Sequence, residues 1–134
     1  MMITSLLSYR KGSICKKVVF YKSPEGKSEI IEFLDELQGK AESDKNARIL
    51  REKMISYMKA LSCYGTRIGR PQVKHLEGDL WELRVLRYRV LFFCRRNGEI
   101  VLLHCFLKKS QKTPRRELAK AKRNRNDYIE RFGS

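Results

Sequence analysis

The stretch from residue 72 to residue 107 constrains the fold most, because its hydrophobic pattern repeats every two residues. Within it, residues 80–86 alternate between apolar side chains and the charged Glu82 and Arg84, as the two faces of a β-strand do. Gly78-Asp79 and Arg96-Asn97-Gly98 are tight-turn sequences between such runs. We therefore predict an antiparallel meander of four strands, which comprise residues 72–77, 80–86, 88–95 and 99–107.

Other regular patterns flank this meander on both sides. β-branched and aromatic residues predict a strand over 16–22, and apolar residues at helical spacing predict helices over 28–38 and 44–61. A basic helix follows the last strand, with Pro114 at its first position and Thr113 as its N-cap. The expected fold is α+β: two N-terminal helices packed on a small antiparallel β-sheet, with a C-terminal basic helix.

The chain length, 134 residues, is typical of one domain, and the sequence contains no internal repeat. We assign residues 16–130 to a single domain. Residues 1–15 have mixed composition and weak periodicity, so we expect them to be an N-terminal extension of low order.

The net charge of +15 arises from 30 Lys and Arg against 15 Asp and Glu. The charge is unevenly distributed, because residues 25–52 hold eight acidic and five basic side chains, whereas residues 53–134 hold seven and twenty. A hydrophobic content of 42% excludes a disordered basic tail. A folded domain with this excess favours polyanionic partners, which are nucleic acid, an anionic membrane or an acidic protein.

Other classes are excluded by what the sequence lacks. No apolar run approaches the roughly 20 residues of a membrane span, and the apolar run Ile3–Leu7 is too short for a secretion signal. The four cysteines form no Cys-x-x-Cys pair and fit neither a zinc pattern nor a dense disulfide framework. We therefore expect free thiols, a cytoplasmic location, no membrane association, and no metal or other cofactor.

Cationic side chains on strands are the most informative chemical feature. Arg84 and Arg89 lie on adjacent predicted strands, while His104, Phe106 and Lys108 share one face of the last strand by their spacing of two. Converging cations beside an aromatic ring suit a phosphate backbone and a stacked base. The alternative is ordinary solvated charge on a strand face.

A basic segment follows these strands. Residues 108–125 hold nine Lys or Arg and one acidic residue, Glu117. They indicate either a steering surface for RNA or an exposed basic helix without a partner. Two imidazoles often act as base and acid in metal-free ribonucleases, so His75 and His104 are catalytic candidates, although a lone histidine in an apolar strand is more often a packing residue.

Three segments resemble a known family. They are Lys74–Arg84, which ends in Leu-Trp-Glu-Leu-Arg, Tyr88–Phe93, and Leu102–Pro114, which contains Phe-Leu-Lys-Lys-Ser-Gln-Lys-Thr-Pro. Together they are similar to the HigB group of the RelE/ParE toxin superfamily, in its phage-derived branch, over about residues 17–128.

The resemblance implies a toxin of a type II toxin–antitoxin module that cleaves mRNA in the ribosomal A site. Its partners would be mRNA, the ribosome and a HigA-like helix-turn-helix antitoxin, bound in a hetero-oligomer. Two alternatives remain, which are a ParE-like toxin directed at gyrase and a catalytically inactive domain that binds nucleic acid or antitoxin.

The resemblance also implies site residues. Arg84 and Arg89 match family cations on consecutive strands, and Lys108 matches the cation that ends the last strand, with Lys109 as the alternative register. The family's late tyrosine has no secure counterpart in this sequence. We predict Arg84, Arg89, Lys108 and His104 as catalytic, without a metal. The predicted RNA-binding residues are Lys74, Phe106, Lys109, Lys112, Arg115 and Arg116.

Overall fold

The computed structural model describes residues 16–134, so the predicted extension over 1–15 lies outside the described residues. Three helices and five strands follow one another in the order predicted from the sequence. The strands are β1 (Val18–Phe20), β2 (Val73–Glu77), β3 (Leu80–Val85), β4 (Tyr88–Cys94) and β5 (Ile100–Leu107). The helices are α1 (Glu29–Lys40), α2 (Lys45–Tyr64) and α3 (Arg115–Phe132), and a short 3₁₀ helix spans Gly65–Ile68.

The five strands form one sheet in the order β1-β5-β4-β3-β2. Strands β2 to β5 pair antiparallel, which confirms the predicted meander. Strand β1 instead pairs parallel with β5, so the sheet is mixed and not purely antiparallel as expected. Two parallel neighbours need a long crossover connection, and the chain between β1 and β5 includes both N-terminal helices.

Both faces of the sheet are covered by helices. Helices α1 and α2 pack on one face, where Leu34, Met54 and Phe92 are fully buried. Helix α3 packs on the other face over Leu91, Phe93 and Leu103. Each leucine buried in this way contributes roughly 1.5–3 kcal/mol to folding. The sheet is therefore the middle layer of a three-layer α+β domain.

The N-terminal helices begin at side-chain caps. Ser28 Oγ accepts a hydrogen bond from the backbone N–H of Ile31, and Asp44 caps α2 in the same way through Asn46 and Ala47. Helix α3 begins differently from the prediction, because Pro114 takes the N-cap position and makes no side-chain capping bond. The hydroxyl of Thr113, the predicted cap, donates instead to Glu82 on β3.

Helix α3 is fixed to the sheet by polar contacts as well as by a thin apolar face. Ala121 and Tyr128 are its buried residues. The Asn124 amide donates to the carbonyl of Leu103, the extra residue of a β-bulge in β5, at 2.8 Å. The Tyr21 hydroxyl donates to Asp127 at 2.7 Å. These contacts join residues that are far apart in the chain, so they leave no local pattern in the sequence.

None of the helices formed by residues 16–134 is long and apolar enough to cross a membrane. The sequence prediction of free thiols agrees with Cys94 and Cys105, neither of which forms a disulfide. Burial raises the pKa of the Cys105 thiol to about 12, so this thiol stays protonated and unreactive at neutral pH.

Candidate functional site

Four cations converge on the α3-facing side of the sheet, beside the turn between β3 and β4. Lys74 lies opposite Glu82 in the β2–β3 pairing, and Arg84 lies opposite Arg89 in the β3–β4 pairing. Lys108 follows β5 directly, and its backbone N–H donates to the turn carbonyl of Arg87 at 2.8 Å. We call Lys74, Arg84, Arg89 and Lys108 the strand cluster.

A buried carboxylate lies beneath the strand cluster. Glu82 is 1% exposed, and its Oε2 lies 3.7 Å from the Arg89 Nε. Its Oε1 accepts a hydrogen bond of 3.0 Å from the Thr113 hydroxyl. Glu82 is therefore the counter-ion of Arg89. The same carboxylate also ties the start of α3 to the sheet, which the sequence did not indicate.

The Arg89 side chain is buried and makes its hydrogen bonds to the protein backbone. It is 8% exposed, and its Nη1 donates to the carbonyls of Leu86 and Tyr88 at 2.9 and 2.8 Å. Burial lowers the pKa of Arg89, Arg84 lowers it further, and Glu82 opposes both effects. Arg89 therefore fixes the β3–β4 turn and adds a buried positive charge behind the site.

Lys108 is a half-buried cation whose surroundings lower its pKa. Burial is the main cause that lowers its pKa, while Arg89, Lys74 and Arg84 lower it further and Glu82 raises it. A lysine in such a position is neutral more often than an exposed lysine at the same pH. It can therefore bind an anion when protonated or accept a proton when neutral.

An open groove of about 480 Å³ lies over the strand cluster. Among its lining residues, Arg84 is exposed and Arg89 is buried. The lining residues are Arg84, Leu86, Arg87, Arg89, Lys108, Lys109, Ser110 and Gln111. Because the described part of the groove has five cations and no carboxylate in its lining, it is suited to an anion such as a phosphate group.

The remaining predicted RNA-binding cations surround a second groove next to the first. Lys109, Lys112 and Arg116 line it together with Pro114 and Glu117. These cations and Arg115 are exposed, and the side chain of Arg116 is 81% accessible. A polyanionic strand that leaves the first groove could continue across this surface.

The two histidines do not meet. His104 is 6% exposed and lies under α3, where its Nε2 is 2.7 Å from Glu117 Oε1 and its Nδ1 has no hydrogen-bond partner among residues 16–134. His75 is exposed and lies edge-on to Trp81, with its Nε2 2.8 Å from the carbonyl of Gly78. The hypothesis of a paired imidazole acid and base is therefore wrong for this fold.

The face shared by His104, Phe106 and Lys108 is confirmed, but its first two members are covered. Phe106 is 8% exposed and stacks on the His104 ring with centroids 5.6 Å apart. A base cannot reach a ring that is packed beneath α3, so Phe106 has a packing role in this structure. His104 stands four residues from Lys108, roughly 13 Å along a strand.

Much of the charge on α3 is neutralised within the domain. Lys120 pairs with Glu29 of α1 at 2.7 Å, Lys122 pairs with Glu77, and Arg125 pairs with Asp79 at 2.5 Å. The Lys122 contact lowers the pKa of Glu77. These three cations hold the helix in place. The cations at the start of the helix, Arg115 and Arg116, remain exposed.

Two groups at the site escaped sequence reasoning. Arg87 and Leu86 form the β3–β4 turn, and neither a charge pattern nor a hydrophobic period distinguishes them from other turn residues. Within residues 16–134, no group of three or more His, Cys, Asp or Glu is arranged to hold a metal ion.

The fold and the groove define a RelE-like α+β domain with a cationic site on its sheet. The chain belongs to the family of phage-derived Gp49-like proteins (DUF891), whose family model matches residues 28–126 and so includes all four cluster cations. This family is associated with RelE-type toxins of toxin–antitoxin systems. No curated protein matches the chain.

Proposed function

We propose that this protein is a HigB-like toxin that cleaves mRNA in the ribosomal A site and so stops translation. The observation that carries the proposal is the groove over the strand cluster, in which Lys108 has a lowered pKa beside the exposed Arg84. The family, the RelE-like fold and the excess of positive charge support the same reading.

The scissile phosphate is bound between Arg84 and Lys108. A guanidinium donates two parallel hydrogen bonds to phosphate oxygens, so Arg84 orients the group as well as attracting it. Arg89 contributes its charge from below, because its Nη1 is engaged by the turn carbonyls. Lys74 lies at the far side of Glu82 and adds to the positive potential.

Cleavage proceeds through the RNA itself. The 2′-oxygen attacks the adjacent phosphorus as its proton leaves, the new O2′–P bond forms, and the P–O5′ bond breaks. The products are a 2′,3′-cyclic phosphate and a 5′-hydroxyl, so neither water nor a redox partner is consumed. The developing negative charge on phosphorus is stabilised by cations that are already in place, which is a large catalytic term.

Lys108 is the proposed general base. Its lowered pKa increases the fraction of neutral amine that can take the 2′-hydroxyl proton, and the resulting ammonium then stabilises the phosphorane. Lys109, next to it and exposed in both grooves, can protonate the leaving 5′-oxygen. We assign His104 to holding Glu117 and α3, because it lies buried outside the groove.

Other partners follow from the exposed charge. Lys109, Lys112, Arg115 and Arg116 form a basic surface that suits ribosomal RNA and also an acidic segment of a HigA-like antitoxin. A hetero-oligomer with that antitoxin would cover the groove. Both roles imply action in the cytoplasm.

A short pulse of expression tests the proposal. We expect translation to stop within minutes and mRNA to be cut within codons, whereas DNA stays intact. Induction of the DNA-damage response with intact mRNA would instead support a gyrase-directed toxin, and the absence of any phenotype would support an inactive binding domain. Each of these two results would refute the ribonuclease proposal.

A further inference from the structure

The backbone of the β3–β4 turn is strained at an unusual residue. Leu86 has φ = 54°, and it is the one non-glycine residue with positive φ among the described residues. Val85 pairs with Tyr88, so the turn has two central residues, Leu86 and Arg87. Two-residue hairpin turns with positive φ at the first central residue usually have glycine there. A bulky leucine is costly there.

Neighbouring groups hold this conformation in place. The carbonyl of Leu86 accepts a hydrogen bond from Arg89 Nη1 at 2.9 Å, and the carbonyl of Arg87 accepts one from the backbone of Lys108 at 2.8 Å. The strained turn is therefore anchored by two members of the strand cluster. A glycine would satisfy these bonds equally well, so folding does not account for the leucine side chain.

The side chain of Leu86 also gains little from packing. The residue is 50% exposed, and it lines the groove together with Arg84 and Lys108. An apolar group held at the rim of a cationic groove offers a surface to a ligand that is anionic at one end and apolar at the other. A nucleotide has this character, because its phosphate is attached through the sugar to a flat base.

We infer that Leu86 is a base-contacting residue, which packs against the nucleobase next to the phosphate bound by Arg84 and Lys108. This inference rests on the proposed function and extends it from the phosphate to the base. Apolar side chains make such contacts with unstacked bases in other nucleic-acid complexes. The contact is made to the apolar face of a base, so it discriminates by size and shape more than by hydrogen bonding.

The test distinguishes binding to the bases of an RNA strand from binding to its phosphates. Wild-type protein, released from its antitoxin, is titrated at 0.15 M salt with a 2′-O-methyl oligoribonucleotide and with a strand of the same length whose central nucleotides are abasic. The wild type should bind the complete strand about five-fold more tightly, as expected from burying the exposed half of a leucine. Leu86→Gly should lose this preference and keep its affinity for the abasic strand.

Three further measurements make the result specific. Leu86→Gly should unfold at the same temperature as the wild type or higher, because glycine relieves the strain. Leu86→Phe should keep the preference for the complete strand. The dependence of binding on salt should be unchanged in Leu86→Gly, whereas Arg84→Ala should reduce its slope by about 0.7.

The outcomes distinguish the two proposals. If the wild type binds both strands equally or binds neither, the role of Leu86 is refuted, whereas the ribonuclease proposal is judged separately by cleavage on ribosomes. If the wild type binds RNA and Leu86→Gly retains the preference for bases, the inference alone is wrong. Normal RNA binding by Leu86→Gly with weaker antitoxin binding would assign the leucine to a protein interface and would also overturn it.

Discussion

The strand cluster and helix α3 carry the same kinds of cation but use them differently. On α3, Lys120, Lys122 and Arg125 each contact a carboxylate from another element. In the strand cluster, four cations are gathered around one buried carboxylate, Glu82. Positive charge is thus compensated where it fastens the fold and left in excess where the groove opens.

The difference shows that the cations behind the net charge of +15 have two separate roles, one in stability and one in binding. Compensated pairs on a partly exposed surface add little stability each, but three of them fix the position of a helix whose apolar face is thin. Uncompensated cations repel one another and destabilise the fold, and this cost is consistent with a site that is completed by a polyanion. Variants in the two regions should therefore differ in what they damage.

The largest effect is expected from removing both solvent-accessible cations of the strand cluster. Arg84→Ala combined with Lys108→Ala should reduce mRNA cleavage by about 10³-fold or more, because the phosphate loses the donors that stabilise its developing charge. Cleavage in a translation extract measures this directly. Lys122→Ala on α3 is the matched control and should cleave at nearly the wild-type rate. Full toxicity of the double variant would show that Arg84 and Lys108 are not part of the catalytic site.

The second effect is on stability. Glu82→Gln should lower the free energy of unfolding by about 3 kcal/mol, because it leaves the buried Arg89 charge without its counter-ion. The glutamine oxygen can still accept from Thr113, so the loss reports the charge. Denaturant unfolding in an Arg84→Ala background avoids toxicity. Glu36→Gln, which breaks an exposed pair with Lys40, is the control and should cost less than about 0.5 kcal/mol. Equal losses in the two variants would contradict a buried role for Glu82.

The third effect concerns pH. A general base acts in its neutral form, so cleavage should rise with pH and level off above the lowered pKa of Lys108, earlier than for an ordinary lysine. Lys108→Arg keeps the charge but cannot release its proton, so the rate should fall by about ten-fold or more and lose this rise. Lys109→Arg should keep the rise. An unchanged profile in Lys108→Arg would show that another group is the base.

The smallest effect is expected on α3. Asp79→Asn removes the partner of Arg125 and should lower the free energy of unfolding by about 0.5 kcal/mol at low salt, and by less at high salt. Cleavage should stay at the wild-type level, since Asp79 does not line the groove over the strand cluster. A loss of cleavage with the fold intact would mean that the two regions are not separate.

Most of the fold was predictable from the sequence, because hydrophobic periodicity is a local signal. The ends of the predicted strands and of the two N-terminal helices differ from the observed ones by at most three residues, as where α2 continues to Tyr64. The parallel pairing of β1 with β5 was not predictable, since the residues involved are about 80 apart in the chain and no turn sequence links them.

The site was predictable in part. The alternation along β3 and β5 placed Arg84 and Lys108 on the same face, and the structure brings them to one groove. The same alternation could not show that α3 covers His104 and Phe106. Their burial depends on how a helix further along the chain packs on the sheet, which the strand pattern does not indicate. Nor could it show the role of Thr113, whose hydroxyl bonds to a residue 31 positions away.

The most direct test of the proposed RNA cleavage uses ribosomes programmed with a synthetic mRNA that carries one 2′-deoxynucleotide at the cleaved position. Purified protein should cut the all-ribose message to a 2′,3′-cyclic phosphate and a 5′-hydroxyl, and it should leave the 2′-deoxy message intact at that position. Cleavage of the 2′-deoxy message, or a 5′-phosphate on the product, would contradict attack by the 2′-oxygen and with it the role assigned to Arg84 and Lys108.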